Sequence, residues 1–111
     1  MEIKFTDKKL EKIVNNDRIM LKELGKVRAI LLRRRLTQLV DANTLEDVRY
    51  LPGNYHELTK NRKGQWGCDL DQPYLLVFTP LEKPIPLNED GQFVWLEIKG
   101  IEIIEITDYH Q

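Results

Sequence analysis

Two histidines are the side chains of this 111-residue chain best suited to proton transfer near neutral pH. His56 follows a Pro-Gly turn, and His110 is preceded by Asp108 and Tyr109. Imidazole accepts and donates protons near neutrality, a carboxylate such as Asp108 can orient it, and Tyr109 offers a phenol or a stacking surface. These residue types suit general acid–base chemistry.

Cations follow His56 closely in the sequence, at Lys60, Arg62 and Lys63. Cleavage of an RNA phosphodiester through its own 2′-hydroxyl needs a base, an acid and positive groups that hold the charge developing on phosphorus. The segment therefore suits phosphate chemistry. A solvated basic loop is the simpler interpretation of the same residues.

A second basic region is the run Arg33, Arg34 and Arg35. Residues 1–63 hold fifteen of the seventeen Lys and Arg but only nine of the eighteen Asp and Glu, so residues 64–111 are acidic. Such asymmetry lets one face attract RNA phosphates while the net charge stays at −1. The alternative is a solvated helix face with snorkelling stems.

Several kinds of chemistry have no support in the sequence. Cys68 is the single cysteine and no serine occurs, which excludes an internal disulfide, a multi-thiolate metal site and a serine nucleophile. Glycine-rich phosphate loops and HExxH motifs are absent too, so no metal or cofactor is expected. The lone thiol and the lack of a long apolar run predict a cytoplasmic protein without a membrane segment.

The first half of the chain has the patterns of a short strand and two helices. Apolar and polar residues alternate over residues 1–5, and Thr6 or Asp7 can cap a helix that Asn15-Asn16 interrupts. A longer helix capped by Asp17 is predicted through Val40, with Gly25 inside it.

The second half has the patterns of a sheet. Alternation over residues 64–70 and the apolar run 74–78 predict an antiparallel hairpin. Pro, Asn, Asp and Gly predict a loop over residues 81–92, and residues 93–98 and 101–106 form either two strands or one strand bent at a glycine. The expected fold class is α+β, a single domain over residues 1–111 with a helical hairpin on a twisted antiparallel sheet of about four strands.

Three segments together resemble the HigB-type plasmid-maintenance killer proteins of the RelE/ParE toxin superfamily. They are YHELTKNRKGQW at 55–66, PYLLVF at 73–78 and the ending EIIEITDYH at 102–110. The resemblance implies a RelE-like fold and a ribosome-dependent mRNA endonuclease. It also implies a HigA-type helix-turn-helix antitoxin as partner, besides the ribosome and mRNA.

The resemblance assigns roles position by position. His56 matches the family's histidine in its His-x-Leu segment, and the residues at 108–110 match its C-terminal Asp-Tyr-His. Thr59 stands where the best-known members carry lysine, and Leu75 stands where the family usually has an arginine for the scissile phosphate. Loss of such a donor lowers a rate on the order of a thousandfold, so Lys60 or Arg62 would have to replace it.

Two other functions fit the same resemblance. One is non-enzymatic inhibition of DNA gyrase, as in ParE-like relatives. The other is an inactive module that only binds the antitoxin.

Overall fold

The computed structural model describes residues 1–108. Its strands are β1 (Glu2–Phe5), β2 (His56–Glu57), β3 (Trp66–Asp69), β4 (Tyr74–Pro80) and β5 (Gly100–Asp108). Its helices are α1 (Lys8–Val14), α2 (Asp17–Leu24), α3 (Lys26–Asp41) and α4 (Leu45–Val48), with 3-10 turns at Lys60–Arg62 and Trp95–Glu97. The predicted α+β class is confirmed. Within residues 1–108, no helix is long and apolar enough to cross a membrane.

All five strands form one sheet in the order β1-β5-β4-β3-β2. Neighbouring strands from β2 to β5 are antiparallel, but β1 lies parallel to β5, with Ile3 opposite Ile101. The sheet is therefore mixed rather than wholly antiparallel. The edge strand β2 is not predicted from the sequence, because its two residues are too few to show an alternation of apolar and polar side chains.

The helix α1 begins where the sequence predicts. One carboxylate oxygen of Asp7 accepts hydrogen bonds from the backbone N–H groups of Lys9 and Leu10, at 2.9 and 3.2 Å. This satisfies two of the donors that a helix start leaves unpaired.

The single long helix predicted after it is wrong, because Gly25 divides it into α2 and α3. Gly25 has a φ of +81°, a conformation that an α-helix does not contain and that glycine adopts without a Cβ clash. The cap of α2 is the side chain of Asn16, which accepts from the Ile19 N–H at 3.1 Å, rather than that of Asp17. The apolar period continues across the break because both helices pack on one core.

Residues 93–98 form neither of the two predicted strand arrangements. Phe93 makes one isolated bridge to Leu87, and a 3-10 turn follows at Trp95–Glu97. Their aromatic and β-branched content reflects burial in a connection, since Trp95 and Ile98 belong to the core. The strand β5 begins only at Gly100.

Alternation along the strands separates the sheet into two faces. Side chains of all four helices share one cluster with the strand residues Trp66, Leu76, Phe78 and Ile103. We call this the helix-covered face. Leu75 and Val77, at the intervening positions of β4, form a smaller cluster with Leu58, the residue after β2, and Ile104 packs beside it. We call this side of the sheet the second face.

Candidate functional site

A transverse row of paired residues on the second face contains one of the predicted catalytic side chains. His56 on β2 lies opposite Gly67 on β3, Gly67 opposite Val77 on β4, and Val77 opposite Glu105 on β5. Strands are about 4.8 Å apart, so the row spans about 14 Å. A titratable ring and a carboxylate thus mark its two ends.

The turn before β2 fixes the ring of His56. Its Nδ1 lies 2.7 Å from the backbone carbonyl oxygen of Asn54, and this oxygen accepts only from a protonated nitrogen. In the neutral ring the proton is therefore assigned to Nδ1, and Nε2 is the acceptor. Asn54 has a φ of +54°, a left-handed conformation that asparagine tolerates better than most residues.

Gly67 leaves a hollow next to this ring. A Cβ built there would lie 3.8 Å from His56 Cε1, 3.6 Å from Leu75 Cδ1 and 3.4 Å from Leu58 Cδ2. Leu75, the residue that departs from the HigB-type pattern, therefore borders the same hollow at Gly67 as His56, from the opposite neighbouring strand. Its side chain offers apolar contact and no hydrogen-bond donor.

Arg62 is the predicted phosphate-binding residue that the structure brings to the same face. Its guanidinium donates to a Glu105 carboxylate oxygen at 2.8 Å and to the Gln65 side-chain oxygen at 2.9 Å. Glu105 pairs with Val77, so the ion pair lies at the β5 end of the row. Sequence reasoning missed Glu105, because its proximity to Arg62 depends on strand pairing across 43 residues. It also missed Gln65, although that residue is only three positions from Arg62.

The other candidate residues that follow His56 in the sequence lie in different surroundings. Thr59 and Lys60 are exposed, and Lys60 has a φ of +57°. The Lys63 ammonium lies 5.9 Å from the centre of the Phe93 ring, on the side of the 81–99 connection. Closeness in the sequence therefore does not place all of these cations at one phosphate.

The predicted C-terminal trio is only partly within the described residues. Asp108 pairs with Tyr74, whose ring packs on the helix-covered side, whereas Thr107 pairs with Leu75 on the second face. The register does not bring Asp108 to the face of His56. Tyr109 and His110 lie outside the described residues, so the convergence of the two imidazoles stays a prediction.

The arginine run divides among three surroundings. Arg33 pairs with Asp17 and donates to the Val14 carbonyl oxygen at 3.2 Å, and Arg34 is exposed. Arg35 is only 8% exposed.

Arg35 is buried and bound to other parts of the fold, so it is not on a phosphate-binding surface. Its Nε donates to the backbone oxygen of Asp69 at 2.8 Å, and its guanidinium packs on Gly53. It thus joins α3 to the end of β3 and to the turn before β2, a role hidden in a run of three identical residues.

The thiol of Cys68 is an unsuitable nucleophile. It is fully buried in the core, and desolvation raises its pKa to about 12. Burial also raises the pKa of its neighbour Tyr55, whose hydroxyl donates to the Gln38 side-chain oxygen at 2.8 Å. Among residues 1–108, no group of three or more His, Cys, Asp or Glu side chains is placed to hold a metal ion.

The helix layer on one face of a mixed five-stranded sheet defines a RelE-like toxin fold. A chain of the same fold occurs in the YoeB–YefM complex from Staphylococcus aureus, with a TM-score of 0.57 and 14% identity over 100% of this chain and 98% of that chain. A YoeB/ParE toxin from Agrobacterium tumefaciens gives a TM-score of 0.51 and 10% identity over 99% and 100% of the two chains. At such identities the likeness concerns the fold alone.

The sequence itself gives no closer assignment. No protein-family model matches this chain, and no curated protein matches its sequence. The HigB type within this fold therefore remains a prediction.

Proposed function

We propose that this protein is the toxin of a toxin–antitoxin pair, of HigB type, and that it cleaves mRNA on the ribosome. The observation that carries the proposal is the position of His56. Its ring lies on the second face beside the hollow at Gly67, with Nδ1 bound to a backbone oxygen and Nε2 as the acceptor. A basic residue, Arg62, reaches the same face.

In this mechanism neutral His56 accepts the proton of the RNA 2′-hydroxyl at Nε2. The 2′-oxygen then attacks phosphorus, the bond to the 5′-oxygen breaks, and an acid protonates the leaving oxygen. The products are a 2′,3′-cyclic phosphate and a 5′-hydroxyl. His110 is the proposed acid, with Asp108 and Tyr109 as its proposed helpers from the sequence.

Arg62 is the proposed phosphate-binding residue in place of the family's arginine at position 75. Its ion pair with Glu105 holds the guanidinium on the second face before substrate arrives. A phosphate has to share or displace that carboxylate, which lowers the gain from binding but keeps the cation in position. Exposed Lys60, two residues before Arg62, adds positive charge to the same segment.

The partners in this proposal are a HigA-type helix-turn-helix antitoxin, the ribosome and mRNA. The YoeB of the structural comparison is in complex with YefM, and a comparable protein partner is proposed here. Exposed basic residues of the helices, such as Arg34, Lys22 and Lys26, supply attraction for ribosomal RNA phosphates.

A second candidate is favoured by Leu75. The apolar side chain at position 75 borders the hollow at Gly67 and offers no donor where the HigB-type pattern has arginine, which suits a module that binds a partner without cleaving RNA. Gyrase inhibition and antitoxin binding alone both belong to this candidate.

The two candidates are separated by inducing the chain in bacteria and mapping mRNA 5′ ends, in parallel with His56→Gln and Leu75→Arg variants. The nuclease proposal predicts discrete new 5′ ends inside translated frames. His56→Gln should reduce them about a hundredfold or more, because the general base is lost. Leu75→Arg should increase them, because a charged donor is restored.

The matched control is Lys4→Ala on β1, an exposed lysine at the opposite edge of the sheet. It should cleave like the unchanged chain. Undiminished cleavage by His56→Gln would contradict the role of His56, and growth arrest without new 5′ ends would favour the non-enzymatic candidate.

A further inference from the structure

A recess lies between α4, the edge strand β2 and the connection 81–99. Its volume is about 490 Å³, within the range of about 300–1,000 Å³ found for small-molecule sites. Its walls carry carboxylates, cations, amides and aromatic rings, which include Glu46, Arg49, Glu57, Lys63, Gln92 and Phe93. We call this recess the β2 cleft.

The β2 cleft and the second face are formed by neighbouring residues of the same two chain segments. His56 belongs to the second face, and the next residue, Glu57, lines the cleft. Arg62 reaches the second face, and the next residue, Lys63, lines the cleft. Two pairs of consecutive residues thus divide their side chains between the proposed catalytic face and the cleft.

The charges of the cleft are balanced rather than basic. Arg49 donates to Glu46 at 2.6 Å and to Glu57 at 2.9 Å, so one guanidinium is held between two carboxylates. The positive charge of Lys63 balances the second of these carboxylates, so the four charges sum to zero. A phosphate gains little in such a site, whereas a neutral ligand with N–H donors finds carboxylate acceptors.

Aromatic and amide groups complete the lining. Phe93 and Trp95 line the same recess, with their ring centres 5.0 Å apart. Asn88 donates to the Gln92 side-chain oxygen at 3.0 Å, which fixes the amide at the mouth of the 88–92 turn. Aromatic rings that stack bases and polar groups that bind base edges are the usual elements of single-stranded RNA recognition.

We propose that the β2 cleft binds the nucleobase next to the scissile phosphate in single-stranded RNA and prefers bases that carry an amino group. This inference rests on the proposed nuclease function and adds its base-specificity site. The base stacks on Phe93, its N–H donors bind the carboxylates of Glu46 and Glu57, and Gln92 contacts the remaining edge. Uracil, which has no amino group, fits this acceptor-rich lining least well.

The test is titration of the purified chain with GMP, AMP, CMP and UMP, followed by NMR of the Trp indole and Gln92 side-chain N–H signals. GMP, AMP and CMP should bind about tenfold more tightly than UMP, because well-placed hydrogen bonds to a base edge discriminate between bases. Inorganic phosphate should leave both signals unchanged.

Two variants locate the binding. Gln92→Ala at an exposed position and Phe93→Leu in the lining should each weaken GMP binding about fivefold or more. The exposed Lys4→Ala should bind GMP like the unchanged chain. If Phe93→Leu fails to fold, as judged by circular dichroism, Gln92→Ala alone decides.

Equal binding of all four nucleotides, absence of shifts in the cleft, or saturation by an acidic peptide but by no nucleotide would each overturn the proposal. Binding is measured without cleavage, so it can fail or succeed apart from the nuclease assay. Base-selective binding by a chain that yields no new mRNA ends would overturn the proposed nuclease and leave a base-binding cleft. Cleavage without base-selective binding would overturn the base-binding cleft and leave the proposed nuclease.

Discussion

The two faces of the sheet differ in what their residues do, although they alternate along the same strands. On β4, Leu76 and Phe78 are fully buried under the helices in a cluster that draws on every helix. Leu75 and Val77 belong to a cluster of three buried residues on the second face. One face has large apolar contacts, and the other combines a small apolar patch with a histidine, a hollow and an ion pair.

In the proposed nuclease, stability and chemistry are therefore assigned to opposite faces of the same strands. Burial of large side chains supplies most of the folding free energy, so the helix-covered face has little freedom to vary. The second face needs fewer of these contacts and can hold polar groups whose arrangement suits a ligand.

The largest expected effect compares neighbours on β4. Leu76→Ala should lower the free energy of unfolding by about 3–5 kcal/mol, because it empties space in the main core. Leu75→Ala should cost clearly less, since the residue is 9% exposed and has few apolar neighbours to lose. Urea denaturation followed by Trp fluorescence measures both, and equal losses would contradict the division between the faces.

An intermediate effect compares two glycines. Gly53→Ala should destabilise by about 1–3 kcal/mol, because φ is +123° and the new Cβ would lie 2.7 Å from the Arg35 side chain. Gly67→Ala meets only ordinary contacts of 3.4–3.8 Å and should leave stability within about 1 kcal/mol.

The same glycine pair also tests function. The methyl group of Gly67→Ala fills the hollow beside His56, so the proposed cleavage should fall although the thermal midpoint hardly changes. A large drop in the midpoint of Gly67→Ala, or unchanged cleavage, would argue against a functional hollow.

The smallest effect concerns the tie between α3 and the turn before β4. Arg28 donates to both carboxylate oxygens of Asp71, at 2.9 and 3.1 Å, and stacks on Tyr74 at 3.7 Å. The hydrogen bonds from Arg28 lower the pKa of Asp71. At pH 7, Asp71→Asn should cost about 0.5–1 kcal/mol, as for other partly exposed pairs.

The pH dependence of that loss follows from the sign of the shift. A carboxyl whose pKa is lowered by folding stabilises the protein above its unfolded pKa of about 3.9, and this stabilisation disappears as the pH falls through the folded value. Urea midpoints of the two proteins should therefore differ at pH 7 and 5 and converge towards pH 2. A constant difference at every pH would assign the loss to something other than the ion pair.

The sequence predicts those elements that local patterns determine. Asp7 caps α1 as expected, alternation predicts β3, and the apolar run over residues 74–78 predicts β4. The break at Gly25 is missed because the apolar period continues through it, and the strand content of residues 93–98 misleads because buried connections also use aromatic residues. The parallel position of β1 depends on pairing with residues about 98 positions away, which no local pattern contains.

The candidate site is predicted in part for the same reason. His56 and Arg62 are close in the sequence and reach one face, while the partner Glu105 and the hollow at Gly67 arise from register across four strands. Arg35 shows the converse: composition marks it as a surface cation, and the fold buries it against Asp69 and Gly53. Residue type alone therefore does not predict which neighbours the fold gives a side chain.

The place of β5 between β1 and β4 has a consequence for synthesis. During translation β1 is made before β5 and stays without the strand that it pairs with until residues 100–108 have left the exit tunnel. Contacts between such distant segments close slowly. The sheet of a nascent chain therefore stays incomplete until residues 100–108 have emerged, and in the proposed toxin this delays activity until β5 has paired and leaves time for the proposed antitoxin to bind.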